Sequence, residues 1–476
     1  MNRQAGISRR RFLRCCGTCA ALFPILSQVP LSACRLSMPV AVSFNEKRRT
    51  RIKAVYAYPD PAYPNWPNIG FDFEGTIDDI RRKLERYLPE IAFQHQATMD
   101  GSAVNGKKII EESGDVDGYL IFLVGCLWGD LTETIASCGK PVVIADHLYA
   151  GSGEFLTSYA RVKRAGFPVL GISSSDFLDV VRALRAVQVI KELAESTVLV
   201  IGAEADTALT EVYGTMVRKI GFEEINRLYN AVDGVAARKV ASDWIYHAEE
   251  VIEPAEAEIV KAAAMYHAMK GLLDTYGAQA VTVNCLGGIY SGQMVEAYPC
   301  LGFMQLDDEG LVGACEADQR STMTKLIMNL LVRRPGFISD PVIDTSKNRI
   351  IYAHCVAPTR MYGYYGPANP YQIRDHSEDR KGACNRSLMP LGDMTTTLLF
   401  DHHKKQVILH QGVAVENVDD DKACRNKLAV EVQGDIRKLM EYWDEWGWHR
   451  VTFYGDLKNE VYNMATLMGF KVVEEA

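Results

Sequence analysis

Four residues in the second half of this 476-residue chain could meet to do chemistry: Glu316, Asp340, His354 and His449. Each follows or borders a short apolar run of the kind that folds as a buried strand. Residues 311–315 would deliver Glu316, and 317–322 then open an apolar-periodic helix over 323–332, so this carboxylate falls at a strand-to-helix turn. The run 350–352 reads as the next strand and carries His354 past its end, while Trp448-His449-Arg450 leads into a strand over 451–454. Strand ends are where α/β sheets present ligand-binding groups. Two carboxylates with imidazole suit a divalent cation such as Mn²⁺. Taken singly, a Glu at a helix start compensates the helix dipole, and a His beside a strand is a hydrogen-bonded core side chain. Four such residues in strand-end positions predict one shared site.

At these residues the chain resembles the L-fucose and L-arabinose isomerase superfamily, in an exported branch. The matching stretches are 280–285, Gly313-Ala314-Cys315-Glu316-Ala317-Asp318, 353–355, and 447–456 with its Gly-Trp-His-Arg opening, which together span much of the C-terminal half. The resemblance implies that Glu316, Asp340 and His449 hold a metal, Mn²⁺ or another divalent cation, and that His354 corresponds to a further ligand of arabinose-type members. It also implies a homo-oligomer. His376, within Arg374-Asp375-His376-Ser377-Glu378, resembles a His-x-Glu segment of the family and would contact sugar hydroxyls or relay a proton, with Asn284 and Trp448 as further substrate-binding residues.

The elements that must position these residues follow an α/β rhythm. Apolar runs over 52–58, 118–124, 141–145, 169–172, 198–201 and 280–283 alternate with helical patterns, including one that starts at a capping-box-like Thr76-Ile77-Asp78-Asp79 and reaches Leu88, and another over 255–276. This predicts parallel sheets with helices on both faces. The fold class expected is α/β, with two doubly wound parallel-sheet domains at 51–192 and 193–355 and a smaller mixed β/α domain at 356–476. The last would open on a hairpin, 394–400 and 406–409, around a turn containing His402-His403, and continue through a helix over 435–446 to His449. Of Trp443, Trp446 and Trp448, at least two are expected in packing and the third as a stacking surface for a sugar. Gly151-Ser152-Gly153 and Gly202 lack the glycine and lysine context of phosphate loops, so no nucleotide cofactor is expected.

The amino terminus reads as targeting. Ser8-Arg9-Arg10-Arg11-Phe12-Leu13 has the form of a twin-arginine export signal over 1–33, ahead of a weakly apolar stretch shorter than the roughly 20 residues of a spanning helix. Leu31-Ser32-Ala33-Cys34 resembles a lipobox that would make Cys34 the lipidated first residue, with 34–50 as linker. The basic run 47–53 would be a solvated tether or a contact with anionic lipid. The expected location is the periplasm or cell envelope, with the membrane touched only through the lipid. Replacing Arg9 and Arg10 by Lys is expected to hold the protein in the cytoplasm, and Cys34→Ala to release an exported form from the membrane; export that persists in the first variant, read by fractionation, would point to the general secretory route instead.

A net charge of −8, which includes the basic leader, disfavours a nucleic-acid partner, and 48 % hydrophobic with 24 % charged residues is ordinary for a globular chain. Eight cysteines beyond the leader and Cys34 are scattered without close zinc spacing, several in apolar runs, and are expected as small buried hydrophobes. The resemblance makes a metal-dependent aldose-ketose isomerase the leading expectation, with Glu316 and Asp340 as ligands and as the acid/base pair of an enediol route. The alternatives are an exported glycosidase or lyase on the same scaffold, or a sugar-binding lipoprotein without turnover.

Overall fold

A computed structural model of the chain describes residues 48–202, 211, 212 and 214–476. The segments read as an export signal and as a lipobox with Cys34, and most of the expected linker, lie outside the described residues. Among those described, no helix is long and apolar enough to cross a membrane.

Sheet formation begins with β1 (Thr50–Ala57), β2 (Ile91–Thr98), β3 (Gly118–Leu123), β4 (Val142–Asp146) and β5 (Val169–Ile172). They form one parallel sheet in the order β2-β1-β3-β4-β5, a doubly wound order whose central strands are apolar on both faces because helices cover both. β1 starts inside the basic run 47–53, which corrects the tether reading. Arg48 is 2.7 Å from Asp117, Arg49 binds backbone carbonyls of 89–91, and Lys53 is buried in the strand. The first helix, Phe73–Tyr87, starts a turn earlier than the Thr76 signal suggests, because Asp72 accepts from the Gly75 N–H at 2.8 Å and is the better cap.

A second sheet joins β6 (Thr197–Ile201), β7 (Glu211–Val212), β8 (Thr215–Ile220), β10 (Ala280–Val283) and β11 (Val312–Cys315) in the order β11-β10-β6-β8-β7, parallel except for the edge strand β7. A small sheet joins β9 (Glu250–Val251), from within that stretch of chain, to β14 (Tyr371–His376) and β15 (Lys381–Ser387), which follow it.

The C-terminal sheet differs from the mixed, smaller unit expected. It has seven strands, β12 (Phe337–Asp344), β13 (Arg349–His354), β16 (Met394–Asp401), β17 (Gln406–Asn417), β18 (Asn426–Val432), β19 (Arg450–Tyr454) and β20 (Lys471–Glu474). The order β16-β19-β12-β13-β18-β17-β20, with β16 also pairing β17, makes it barrel-like. It is antiparallel except where β20 adds to β17. Closure satisfies edge strands that would otherwise be exposed. β12 and β13 come from before residue 355, so segments 193–355 and 356–476 share this sheet.

Helix Gln319–Val332 lies between the second sheet and the barrel. Its residues from Ser321 to Asn329 and Leu331 are buried, in one core with Val312, Ala314, Leu398 and Val451. A helix buried on all sides needs its polar groups paired. Lys325 Nζ accordingly meets Asp307 Oδ2 and the Gly313 carbonyl, each at 2.6 Å. Lys325→Met would strand the buried Asp307 carboxylate and is expected to cost about 3–5 kcal/mol in chemical denaturation, with much of the loss recovered when Asp307→Leu is added. A loss no larger than that of a surface substitution would contradict this.

Candidate metal and acid/base site

The second sheet and the barrel meet at one group of side chains. Val283 of β10 pairs with Cys315 of β11, so Asn284 and Glu316 leave neighbouring strands at the same height. Glu316 and Ala317 both adopt left-handed backbone, at φ 63° and 52°. For residues with a Cβ this costs on the order of 1–3 kcal/mol each and persists where the surroundings over-determine it. The turn is held by the Ala317 N–H donating to the Val283 carbonyl and by Asp318 capping helix Gln319–Val332 through the Ser321 N–H.

From the barrel, β12 and β13 each contribute one residue, and His449 immediately precedes the adjacent strand β19. Ser339 pairs with Arg450, so the next step of the register sets Asp340 opposite His449; Asp340 itself pairs with Ala353, the neighbour of His354. Two placements differ from the strand-end expectation. His354 is the last residue of β13 rather than beyond it, and Asp340 lies inside β12. The reason is that β19 stops pairing with β12 at Ser339, which frees one side of β12 there and tolerates Pro341 in the strand.

All four expected residues come together. His354 Nε2 is 3.7 Å from Glu316 Oε1, His449 Nε2 is 3.6 Å from Glu316 Oε2, and His449 Nε2 is 3.2 Å from Asp340 Oδ1. The two rings cross at 64° with centroids 5.5 Å apart. Both Nε2 atoms are buried and make no hydrogen bond. The separations approach the ~3 Å between neighbouring oxygen or nitrogen ligands about 2.1 Å from one octahedral cation. Glu316, His354 and His449 form a group able to hold a metal ion, and two orphaned imidazole nitrogens facing two carboxylates fit a hard divalent cation.

The supporting contacts set each group's charge. Asp318, which sequence reasoning passed over, accepts from His449 Nδ1 at 2.9 Å and thereby leaves Nε2 for the site. Its signal was present: an Asp two residues past Glu316, capping the next helix. Burial works against charge on His449, but its hydrogen bond to Asp318 and the Asp340 carboxylate beside it outweigh this and raise its pKa to about 10. Asp318 is likewise held down at about 2, burial being outweighed by the His449 contact. Burial pushes Glu316 above the ordinary carboxylate value. Burial would do the same to Asp340, but His449 beside it and the His354 imidazole, with Trp448, hold it below.

The expected substrate residues divide. Trp448 is 62 % exposed and hydrogen-bonds Asp340, so an aromatic face stands at the edge of the site. Trp446 packs in the core and Trp443 lies under the Arg450 guanidinium, 4.1 Å from its ring centroid. Asn284 is half-buried beside Glu316, with Nδ2 3.4 Å from the Gly202 carbonyl. His376 is buried, bonded to Asp379 at 2.9 Å and packed on Tyr298, and it faces Cys355 rather than Glu316. His402 and His403 stack at the hairpin turn, as placed by sequence, and belong to none of the metal-capable groups among the described residues.

No family model matches the chain. It is similar to the sulfoquinovose isomerase of Clostridium sp. (strain MSTE9), 21 % identical over 276 residues, covering 56 % of this chain and 60 % of that protein. The chain thus spans about three fifths of the length of the curated relative it matches.

Proposed function

We propose that the chain is a metal-dependent aldose-ketose isomerase acting on a small open-chain sugar. The observation that carries this reading is the convergence of two unpartnered buried imidazole nitrogens, His354 Nε2 and His449 Nε2, on the carboxylates of Glu316 and Asp340. Glu316, Asp340, His449 and His354 would hold a divalent cation, Mn²⁺ in the first instance. When bound, such a cation polarises the sugar carbonyl and the neighbouring hydroxyl.

The chain's own groups supply the proton movements. The surroundings push the two carboxyls apart, Glu316 upward and Asp340 downward. Such a separation assigns acid to the first and base to the second. Asp340 takes the proton from the carbon beside the carbonyl while Glu316 gives one to the carbonyl oxygen, and the enediol then collapses as its other hydroxyl gives its proton back to Glu316 and Asp340 returns its proton to the former carbonyl carbon, which leaves the isomeric sugar and both carboxyls as they began. Trp448 offers a ring face to the sugar's C–H side, and Asn284 a hydrogen-bonding amide. Export to the envelope by the twin-arginine route belongs to the same proposal, since folding before export lets the cytoplasm choose the metal.

The test is metal content and exchange chemistry together. Protein made with Mn²⁺ supplementation is expected to carry about one divalent cation per chain by elemental analysis, and Glu316→Gln to weaken that affinity at least tenfold. In D₂O, a panel of pentoses, hexoses, deoxyhexoses and sulfoquinovose should contain one sugar that gains deuterium at C1 or C2. Cleavage of a glycoside without labelling of any free sugar would replace this reading with a glycosidase or lyase, and sugar binding without either would make the chain a receptor.

A further inference from the structure

Behind the carboxylate site, five cysteines gather in one core: Cys285, Cys300, Cys315, Cys355 and Cys384 are all free, buried and members of a single apolar cluster. Two of them flank the residues already described, Cys315 before Glu316 and Cys355 after His354. Cys315 Sγ lies 3.9 Å from Cys355 Sγ, and Cys355 Sγ lies 3.4 Å from His354 Nδ1. Cys315, Cys355 and His354 place one donor atom each within 4.8 Å of the others. Cys285 is within hydrogen-bonding reach of Cys315, and Cys300 of Cys355.

These distances have a metric meaning. Sulfur at about 2.3 Å and nitrogen at about 2.05 Å from a tetrahedral centre give edges of ~3.8 Å for sulfur to sulfur and ~3.5 Å for sulfur to nitrogen. Two edges of the cluster therefore match one face of a tetrahedral thiolate-imidazole site, and the third, from Cys315 to His354, is within 4.8 Å. Scattered small hydrophobes would satisfy the packing, but not this pair of edges. A cavity of about 10 Å³, lined in part by Cys315, His354 and Lys325, leaves room beside the face for a water-sized fourth ligand.

We propose that Cys315 Sγ, Cys355 Sγ and His354 Nδ1 form a second cation site, selective for thiophilic ions of the Zn²⁺, Cd²⁺ or Cu⁺ class, that shares the His354 imidazole with the carboxylate site. Thiolate donors favour these ions over the hard cations that carboxylates take. On binding at the thiol side alone, the two thiols release their protons to solvent and the ring keeps its proton on Nε2, so that the Nδ1 lone pair completes the face; occupation of both sites at once requires that ring proton to leave for solvent as well, giving a bridging imidazolate, and nothing is oxidised or reduced. The imidazole has one nitrogen on each side: Nε2 faces Glu316 and Nδ1 faces the thiols. Ions at the two sites therefore influence each other's affinity by the same factor.

The test is a Cd²⁺ titration of the full reduced chain, at low and at saturating Mn²⁺, read by ultraviolet thiolate-to-cadmium charge transfer and by X-ray absorption at the cadmium edge. One Cd²⁺ per chain with two or three sulfur ligands and one nitrogen is the expected result, with half-saturation shifted several-fold by Mn²⁺. The charge-transfer band should persist in the Cys126→Ser/Cys138→Ser double variant, whose thiols lie outside the cluster, and fall at least tenfold in Cys315→Ser and in Cys355→Ser. A shell of oxygen and nitrogen alone in the unmutated chain, or a band that survives both single variants, overturns the site. A curve indifferent to Mn²⁺ overturns the sharing of His354. The spectrum of the unmutated chain decides the matter even where a serine variant does not fold.

Discussion

Asp340→Asn is expected to slow solvent exchange of the sugar's C1 or C2 hydrogen by about 10²–10⁴-fold, the usual span for removal of a positioned general base. The substitution keeps the shape of the side chain, and Asp340 is already fixed by β13 pairing and by the Trp448 and His449 contacts. The fold should therefore survive, with near-ultraviolet circular dichroism unchanged. What is lost is an acceptor whose pKa is held below the ordinary value, ready to be ionised at neutral pH. Some loss of cation affinity is expected too, since Asp340 is also a proposed ligand. Measuring exchange at saturating Mn²⁺ separates the two effects: a rate that recovers fully with added metal would make Asp340 a ligand alone and leave the base unassigned. A rate that stays low at saturation, in a folded protein, is the expected outcome.

How much of this site could be read from sequence differs by residue, for physical reasons. Glu316 was legible because a fully apolar run, 311–315, ends abruptly in a charge before a helix, and β11 and helix Gln319–Val332 fall where that pattern places them. The parallel strands of the first two sheets were legible for the same reason: buried on both faces, they are continuous apolar runs. β2 and β8 were not: Ile91–Thr98 is an edge strand paired only with β1 and carries Gln94, His95, Gln96 and Thr98, and Thr215–Ile220 is buried only at its ends and carries Arg218 and Lys219. The barrel was read only through its β16–β17 hairpin. The β12–β13 hairpin is equally local but is marked in sequence only by its second strand, whereas pairings such as β12 with β19 join strands distant in sequence and leave no local trace. His449 could be singled out by type, but only that pairing brings it opposite Asp340. Asp318 was missed because a helix cap explains it completely until its second oxygen is seen on His449 Nδ1. His376 was singled out by its resemblance to a family segment, and its bond to Asp379 and its packing on Tyr298 are contacts that local sequence does not show.

The Asp318–His449 pair should also make cation binding and stability depend on pH in opposite ways. In the metal-free chain the His449 pKa of about 10 lies above its ordinary value, so its protonated form stabilises the fold fully below about 6.5 and that contribution is lost as pH rises toward 10. Asp318, depressed to about 2, contributes above its ordinary value of roughly 3.9 and loses that contribution as pH falls toward 2. Metal-free thermal stability should therefore be greatest between about pH 4 and 6.5 where this pair is concerned. A cation at Nε2 requires the neutral ring, so it must displace that proton. Calorimetric titration with Mn²⁺ near pH 7.5, in buffers of different ionisation enthalpy, should show about one proton released per ion from this histidine, and the stabilisation by Mn²⁺ should grow as pH rises. Asp318→Asn removes the carboxylate that holds the ring in the useful tautomer, and a loss of about 10–100-fold in cation affinity is expected, the typical effect of such an outer partner. Because Asp318 reaches His449 through Nδ1 and the cap through Ser321, a merely structural role would lower the melting temperature without changing the proton count. Proton release unchanged in Asp318→Asn, with affinity intact, would mean that His449 does not bind the cation and that the site rests on Glu316, Asp340 and His354.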